Sequence, residues 1–325
     1  MADFLEDAYL DANPDVAVAV KAGHFLSGFE HYQLVGKTEG RLLMPLSPCL
    51  TRQERVLLGL RHDGLGLEIG PSHNPIAAKR DGYNVHILDH LDQTALKAKY
   101  AHHGQYGVNI DNIEEVDFVW HGQSMSELIG KTECYDWIIA SHVIEHVPDL
   151  ISFFQQCEVL LKGDGLLSLI IPDKRFCFDH LNPSSSTGEF LDAFEMKRSR
   201  PSVGKVFDHF ANACKRGNTI AWNSGEVGEF ELIHSLEQAH RLWEQARTTD
   251  AYIDTHCWRF TPESFRLLIA DFRLLGLLGL EIVNEFPTSG CEFYVTLGKT
   301  ANITAPNALE QDRLSALHAR KISEN

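Results

Sequence analysis

Two short apolar runs, about twenty residues apart, limit what this chain can fold into more than any other feature. The first, Leu65 to Ile69, carries an acid near its end and leads into a glycine, Glu68 and Gly70 of the segment GLEIGPSHNP at 66–75. The second, VHILDHLD at 85–92, runs out at Asp89. Strand, tight glycine turn, short helix, strand and acid form the first half of a nucleoside-binding α/β unit. An acid after the second strand suits ribose hydroxyls, because a carboxylate accepts two donors at once. Asn74 and Pro75 read as the N-cap and first position of the intervening helix.

The turn also says what kind of nucleoside fits. A dinucleotide site uses three glycines, so that backbone amides and a helix N-terminus reach the pyrophosphate. Here one glycine is followed by Pro71 and Ser72, and Glu68 would repel a phosphate. A ligand without phosphate and with a cationic head group fits better. S-adenosylmethionine, with its sulfonium and α-ammonium, has the right sign. The single-glycine turn disfavours a nucleotide-dependent oxidoreductase or epimerase.

Downstream, YDWIIASHVIEHVPDL at 135–150 reads as a strand, then a short helix with a Pro-Asp break. ISFFQQCEVLLKGDG reads as a helix closed by a turn at Gly163–Gly165, and LLSLIIPD at 166–173 as a buried strand. In this order the segments resemble the class I S-adenosylmethionine-dependent methyltransferases with an E-x-G and V-L-E-H-V-P-D pattern. The resemblance covers roughly 60–180 and resumes at 256–299. It implies an α/β fold with a Rossmann-like seven-stranded sheet. It departs from the usual pattern at Pro71 and Ser72, where many relatives carry Gly-x-Gly. The resemblance implies Glu68, Gly70 and Ser72 at the methionine end of the cofactor, and Asp89 with its neighbour His90 at the ribose. Gln123 and Ser124, in HGQSM at 121–125, should face adenine, and Ser141 and His142 should line the cofactor.

Residues 1–41 form a separate small helical module. Asn13 and Pro14 open one helix, Ser27 caps another, and Gly36 and Gly40 end it. It resembles a Y-L-x-x-N-P-D-V … H-Y-x-x-x-G-x-x-E-G-R module of bacterial proteins associated with surface carbohydrates. At this size it should dock on the main domain or a protein partner. Residues 42–60 hold a Pro-containing linker, MPLSPCLT at 44–51, and a helix at about 51–61; the methyltransferase-like domain spans 61–299. Within it, 181–255 reads as a helical insertion, with helices near 188–198, 202–215 and 235–248, placed to lid the ligand crevice. Strands at 280–286 and 291–298, joined by a Pro287–Gly290 turn, complete the sheet, and a polar tail occupies 300–325.

Composition removes several function classes. The net charge of −16 leaves no basic track for nucleic acid. No leader pattern opens the chain and no apolar run reaches membrane-spanning length, so a soluble cytoplasmic protein is expected. Seven scattered cysteines without a C-x-x-C pair argue against a disulfide framework and a zinc site. Cys157, Cys177 and Cys257 read as buried thiols.

Methyl transfer from a sulfonium depends on in-line alignment, and a hydroxyl acceptor also loses a proton. Ala-Ser-His-Val after the fourth strand, in place of an N-P-P-Y segment, disfavours adenine- or glutamine-type nitrogen targets. Oxygen, ahead of carbon, is the better target. Candidate bases are His142, His146, Asp179, His180, Asp254 and His256; His256 leads, with Asp254 as its orienter. Lys174 and Arg175 can meet an acceptor phosphate or stay solvated. Phe176 and Phe178 can stack on a sugar or join the core. His142, Glu145 and His146 would share one face of a helix. A related E-x-x-E-H arrangement binds a divalent ion in some methyltransferases, but H-V-x-E-H-V is common in relatives without one, and no metal is expected. The reading is O-methylation of a small or carbohydrate-type acceptor in surface-polysaccharide assembly. The rival is a non-catalytic scaffold of the same fold whose N-terminal module recruits assembly enzymes.

Overall fold

The computed structural model describes residues 4, 6–37, 39, 41, 50–101, 108–299 and 306–323. The chain divides into two compact units, residues 1–55 and 56–325. Gly40, Cys49 and the linker residues 44–49 lie outside the described residues.

The first unit is built on Tyr9. Helices Glu6–Ala12, Pro14–Lys21 and Gly28–His31 are followed by a π-helical turn at Tyr32–Gly36. Tyr9 is fully buried against Phe4 and Tyr32, and its hydroxyl meets His31 Nδ1 at 2.9 Å. Gly36 is required there: a Cβ would stand 2.2 Å from the Tyr9 hydroxyl. Ser27 caps as expected, accepting from Glu30 N. Asn13 precedes its helix without a side-chain cap bond and instead donates Nδ2 to Tyr9 O. Arg41 closes the module on Asp15 at 2.8 Å.

The second unit is a seven-stranded sheet. Strands β1 (Gly66–Ile69), β2 (Val85–Asp89), β3 (Phe118–Val119), β4 (Tyr135–Ser141) and β5 (Leu161–Pro172) run parallel. β6 (Cys214–Arg216) and β7 (Phe230–Leu232) pair separately in the insertion. β8 (Leu280–Ser289) and β9 (Glu292–Lys299) return antiparallel, giving the order β3-β2-β1-β4-β5-β9-β8. The order reverses between β1 and β4, which opens a crevice at the carboxyl ends of those strands.

Parallel strands covered on both faces need apolar residues in both registers. β4 shows it. Ile138 and Ala140 join Phe153, Phe154, Leu268 and Phe272 from helices Leu150–Leu160 and Pro262–Leu274 on one face. Trp137 and Ile139 join Val56, Ile76, Ile87 and Tyr294 on the other. Each Ile, Leu or Phe side chain among these contributes about 1.5–3 kcal/mol of burial. Gly66 is the contact point for Trp137, whose ring would lie 2.1 Å from any Cβ there.

Several local expectations change. No helix starts at Asn74 and Pro75; only a 3-10 turn, Lys79–Asp81, forms. The donors that would open a helix, Ile76 N and Ala77 N, go to the Glu68 carboxylate instead. Residues 142–147 are turns rather than a helix, because His142 sits at φ 53 and the Glu145 carbonyl is taken by Cys257 N and Trp258 N. Gly163–Gly165 does not close a turn: helix Leu150–Leu160 runs straight into β5, and the register slips between Tyr135 and Trp137. Gly165 lets the chain pass Tyr135 O, which a Cβ would approach to 3.0 Å. Pro287 lies inside edge strand β8 at a second register shift, and the reversal falls at Gly290, φ 66.

The insertion holds helices Thr187–Glu195, Val203–Asn212 and Leu236–Thr248, close to the expected spans. The last has the Ser235–Gln238 capping box. The β6–β7 hairpin is additional; its three-residue strands are too short for an alternation to register. The tail folds as helix Pro306–Ser323 against helix Pro262–Leu274, with Arg313 on Asp271. Among the described residues no helix is long and apolar enough to cross a membrane.

Candidate active site

At the carboxyl end of β1 the chain turns through Gly70, φ 64, whose amide donates to Leu88 O. A Cβ there would stand 3.0 Å from Val143 Cγ2. Ser72 also takes a left-handed φ of 48, and its amide donates to Asp89 Oδ2 at 3.2 Å. Asp89 Oδ1 accepts from His90 N and from His90 Nδ1 at 2.6 Å. Lys99 Nζ approaches His90 Nε2 at 3.0 Å, so an ammonium there fixes His90 with its proton on Nδ1. Asp89 is therefore a buried, oriented carboxylate with acceptor capacity left over. The Ser72 hydroxyl is buried and has no hydrogen-bond partner. A buried orphan hydroxyl beside an oriented carboxylate, in a turn a side chain would crowd, fits a bound nucleoside with a polar head group.

The other expected cofactor residues shape this crevice. Glu68 is buried, with its two oxygens on Ile76 N and Ala77 N, so it holds the loop together. Gln123 Oε1 accepts from His121 N, and Ser124 caps helix Met125–Ile129 by accepting from Glu127 N. Ser141 ends β4, half-buried. His142 clamps two acids, with Nε2 2.8 Å from Glu292 and Nδ1 3.5 Å from Glu145. Burial alone would lower its pKa, but the Glu145 and Glu292 carboxylates outweigh burial and raise it to about 9.

Beyond β4 and β5 lies a second cluster, built from distant parts of the chain. Segment 252–258, where the insertion rejoins the sheet, is stitched to the turn after β4. Cys257 N and Trp258 N donate to Glu145 O, Trp258 Nε1 to Val147 O, and the Tyr252 hydroxyl to His146 O. This lays His256 against His146, ring centroids 4.6 Å apart and edge to face. His146 Nδ1 meets Asp254 Oδ1 at 2.8 Å, and His256 Nδ1 meets Asp179 Oδ2 at 2.5 Å. Asp179 Oδ1 also accepts from Arg259 Nε.

The charge states follow from the partners. Burial pushes Asp179 up, but His256 and Arg259 hold it at about 2; the His146 bond holds Asp254 at about 2. Both are carboxylates that can only accept, so each imidazole donates from Nδ1. Burial lowers His146, but the Asp254 bond and the Glu145 carboxylate outweigh it and raise its pKa. His209 accepts the His256 amide on Nδ1, and burial and His256 push it down to about 3, so it is neutral. Glu145 is fully buried and neither carboxylate oxygen has a hydrogen-bond partner. Burial raises it, but His142, His146 and His256 hold it below its usual value.

Asp254, expected to orient His256, instead orients His146, and Asp179 holds His256. His180, also expected among the bases, faces away: its Nδ1 meets Arg175 O and its ring stacks on Phe230 at 4.4 Å. With Lys174, Phe176, Arg216 and Trp222 it lines a cavity of about 940 Å³. Arg175 is held by Asp173 at 2.6 Å, and Phe178 packs on His256 at 4.6 Å. The sequence reading missed His209, Glu292 and Arg216. His209 lies on an amphipathic insertion helix, where a lone histidine gives no signal of its partner.

The model of a family described as a methyltransferase domain matches residues 54–274. Among curated proteins, the mitochondrial ubiquinone biosynthesis O-methyltransferase of Bos taurus is 33% identical over 96 residues, 29% of this chain and 24% of that protein. The chain thus matches about a quarter of that relative's length. Among solved structures, a Rhodobacter sphaeroides protein named with the Zn-dependent alcohol dehydrogenases has a TM-score of 0.42 and 12% identity, covering 78% of this chain and 92% of that one. An S-adenosylmethionine dependent methyltransferase of Mesorhizobium loti gives 0.38 and 10%, covering 76% and 98%. The 1,6-didemethyltoxoflavin-N1-methyltransferase of Burkholderia thailandensis, with S-adenosylhomocysteine bound, gives 0.36 and 11%, covering 92% of each chain. These superpositions are too distant to argue from, and the fold rests on the strand order above.

Proposed function

This chain belongs to the methyltransferase-domain family, and we propose that it transfers the methyl group of S-adenosylmethionine to a hydroxyl oxygen of a small, carbohydrate-type acceptor. The observation that carries this reading is the pair of carboxylate-backed histidines, His146–Asp254 and His256–Asp179, beyond the crevice that holds Asp89. When bound, S-adenosylmethionine supplies an electrophilic methyl on a sulfonium. Asp89 accepts the ribose hydroxyls, and the Gly70–Ser72 turn leaves room for the methionine end. The acceptor hydroxyl meets the Glu145–His146–His256 cluster and gives up its proton there. Insertion helix Val203–Asn212 packs on this cluster through His209, which accepts from His256 N.

The carbohydrate part has its own support. The cavity beside His180 combines cations, Lys174 and Arg216, with flat rings, Phe176 and Trp222. Rings take sugar faces and cations take phosphates or carboxylates. The sequence resemblance of residues 1–41 to a module of surface-carbohydrate proteins supports a role in surface-polysaccharide assembly, with a protein partner for those residues.

Calorimetric titration of S-adenosylmethionine and S-adenosylhomocysteine into wild type and Asp89→Ala tests the cofactor. Binding lost in the variant supports the reading, and a sugar-acceptor screen follows. No binding to wild type overturns it in favour of a scaffold.

A further inference from the structure

We propose that Glu145, His146 and His256 form a binding site for one divalent transition-metal ion. The inference goes beyond methyl transfer, since the ion's binding can be measured without any turnover. One ligand atom from each of the three residues lies within 4.8 Å of the others. Two imidazoles and one carboxylate are a ligand set for ions such as zinc, iron(II) or cobalt(II). Magnesium is disfavoured, because it takes oxygen ligands and keeps its waters.

Three independent features point to an ion rather than to packing alone. The first is Glu145, fully buried with neither oxygen hydrogen-bonded and with His142 Nδ1 no nearer than 3.5 Å. His142 lies beside one oxygen but is shared with Glu292, so the remaining acceptor sites of this buried carboxylate stay open for an ion. The second is the outer shell. Asp254 and Asp179 each hold the Nδ1 of one histidine, which leaves Nε2 to ligate, the arrangement that orients and strengthens metal-bound imidazoles. The third is the frame. Glu145 O accepts from Cys257 N and Trp258 N, so the backbone fixes the spacing of the ligands before any ion arrives. Three protein ligands leave coordination positions open.

The test uses the full chain, stripped with chelator and titrated with cobalt(II) alone, followed by absorbance and calorimetry. One ion per chain, with ligand-field bands and no thiolate charge-transfer band, is expected. Glu145→Gln should weaken binding by at least about 100-fold, and Asp254→Asn, an exposed change that spares the core, by about 10–100-fold. S-adenosylmethionine titrated into the same samples separates the two readings. Cofactor binding without cobalt binding overturns the ion site and leaves the methyltransferase reading standing. A thiolate band, or cobalt affinity indifferent to both variants, also overturns it.

Discussion

The two ends of the crevice are built on opposite principles. At the β1–β2 end, polar side chains are satisfied by nearby backbone: Glu68 by Ile76 and Ala77, Asp89 by Ser72 and His90. At the β4–β5 end, side chains satisfy one another across long stretches of chain: His146 with Asp254, His256 with Asp179, Asp179 with Arg259. A local scaffold gives one fixed shape. A side-chain network gives ionisable groups in chosen charge states, which chemistry needs and mere binding does not. On the proposed reading, the contrast separates a binding half from a reacting half.

The sharpest way to break this division is His256→Ala. Turnover should fall by about 10²–10⁴-fold while S-adenosylmethionine affinity, read by calorimetry, stays within about threefold. A matching loss of affinity would merge the two halves. Asp89→Ala should do the reverse, weakening cofactor binding by about 10–100-fold through lost hydrogen bonds to a charged acceptor. Saturating cofactor should then restore most of the turnover.

A third test asks whether the scaffold's stability is separate from both. Asp136 is buried, receives Leu65 N, and pairs with Lys162 at 2.7 Å and Arg61 at 3.2 Å. Burial raises its pKa, but Lys162, the Leu65 amide and Arg61 outweigh burial and lower it. A depressed carboxylate stabilises the fold above its unfolded value of 3.8 and loses that contribution as pH falls below it. Asp136→Asn should cost about 1–3 kcal/mol near neutral pH and flatten the acid limb of the stability profile in denaturant melts. The smallest effect is expected in the insertion. Ser235→Ala removes a capping box and should cost about 0.5–2 kcal/mol, seen in thermal melts, without touching cofactor affinity.

Sequence patterns reached the scaffold and stopped short of the network for a physical reason. Strand Tyr135–Ser141 and the capped helix Leu236–Thr248 follow from local apolar runs and caps, and their bounds emerge as expected. The reading failed where a distant group outcompeted a local rule. Asn74 and Pro75 spell a helix start, yet Glu68 takes the amides that a helix would use. Gly163–Gly165 spells a turn, yet the approach of Tyr135 O makes it a kinked strand. In the site, His256 and Asp254 were named from one segment, but His256 chose Asp179 from the loop after β5. No spacing rule pairs residues that meet only after the insertion has folded back.

The shared carbonyl of Glu145 has a consequence for how such a site changes over time. Cys257 and Trp258 register against it through main-chain amides, which every residue except proline can supply. The distance between the two segments is therefore indifferent to the side chains they present. Replacing the histidines or the acid would leave those main-chain bonds available, so the two segments can keep their register whatever side chains they carry.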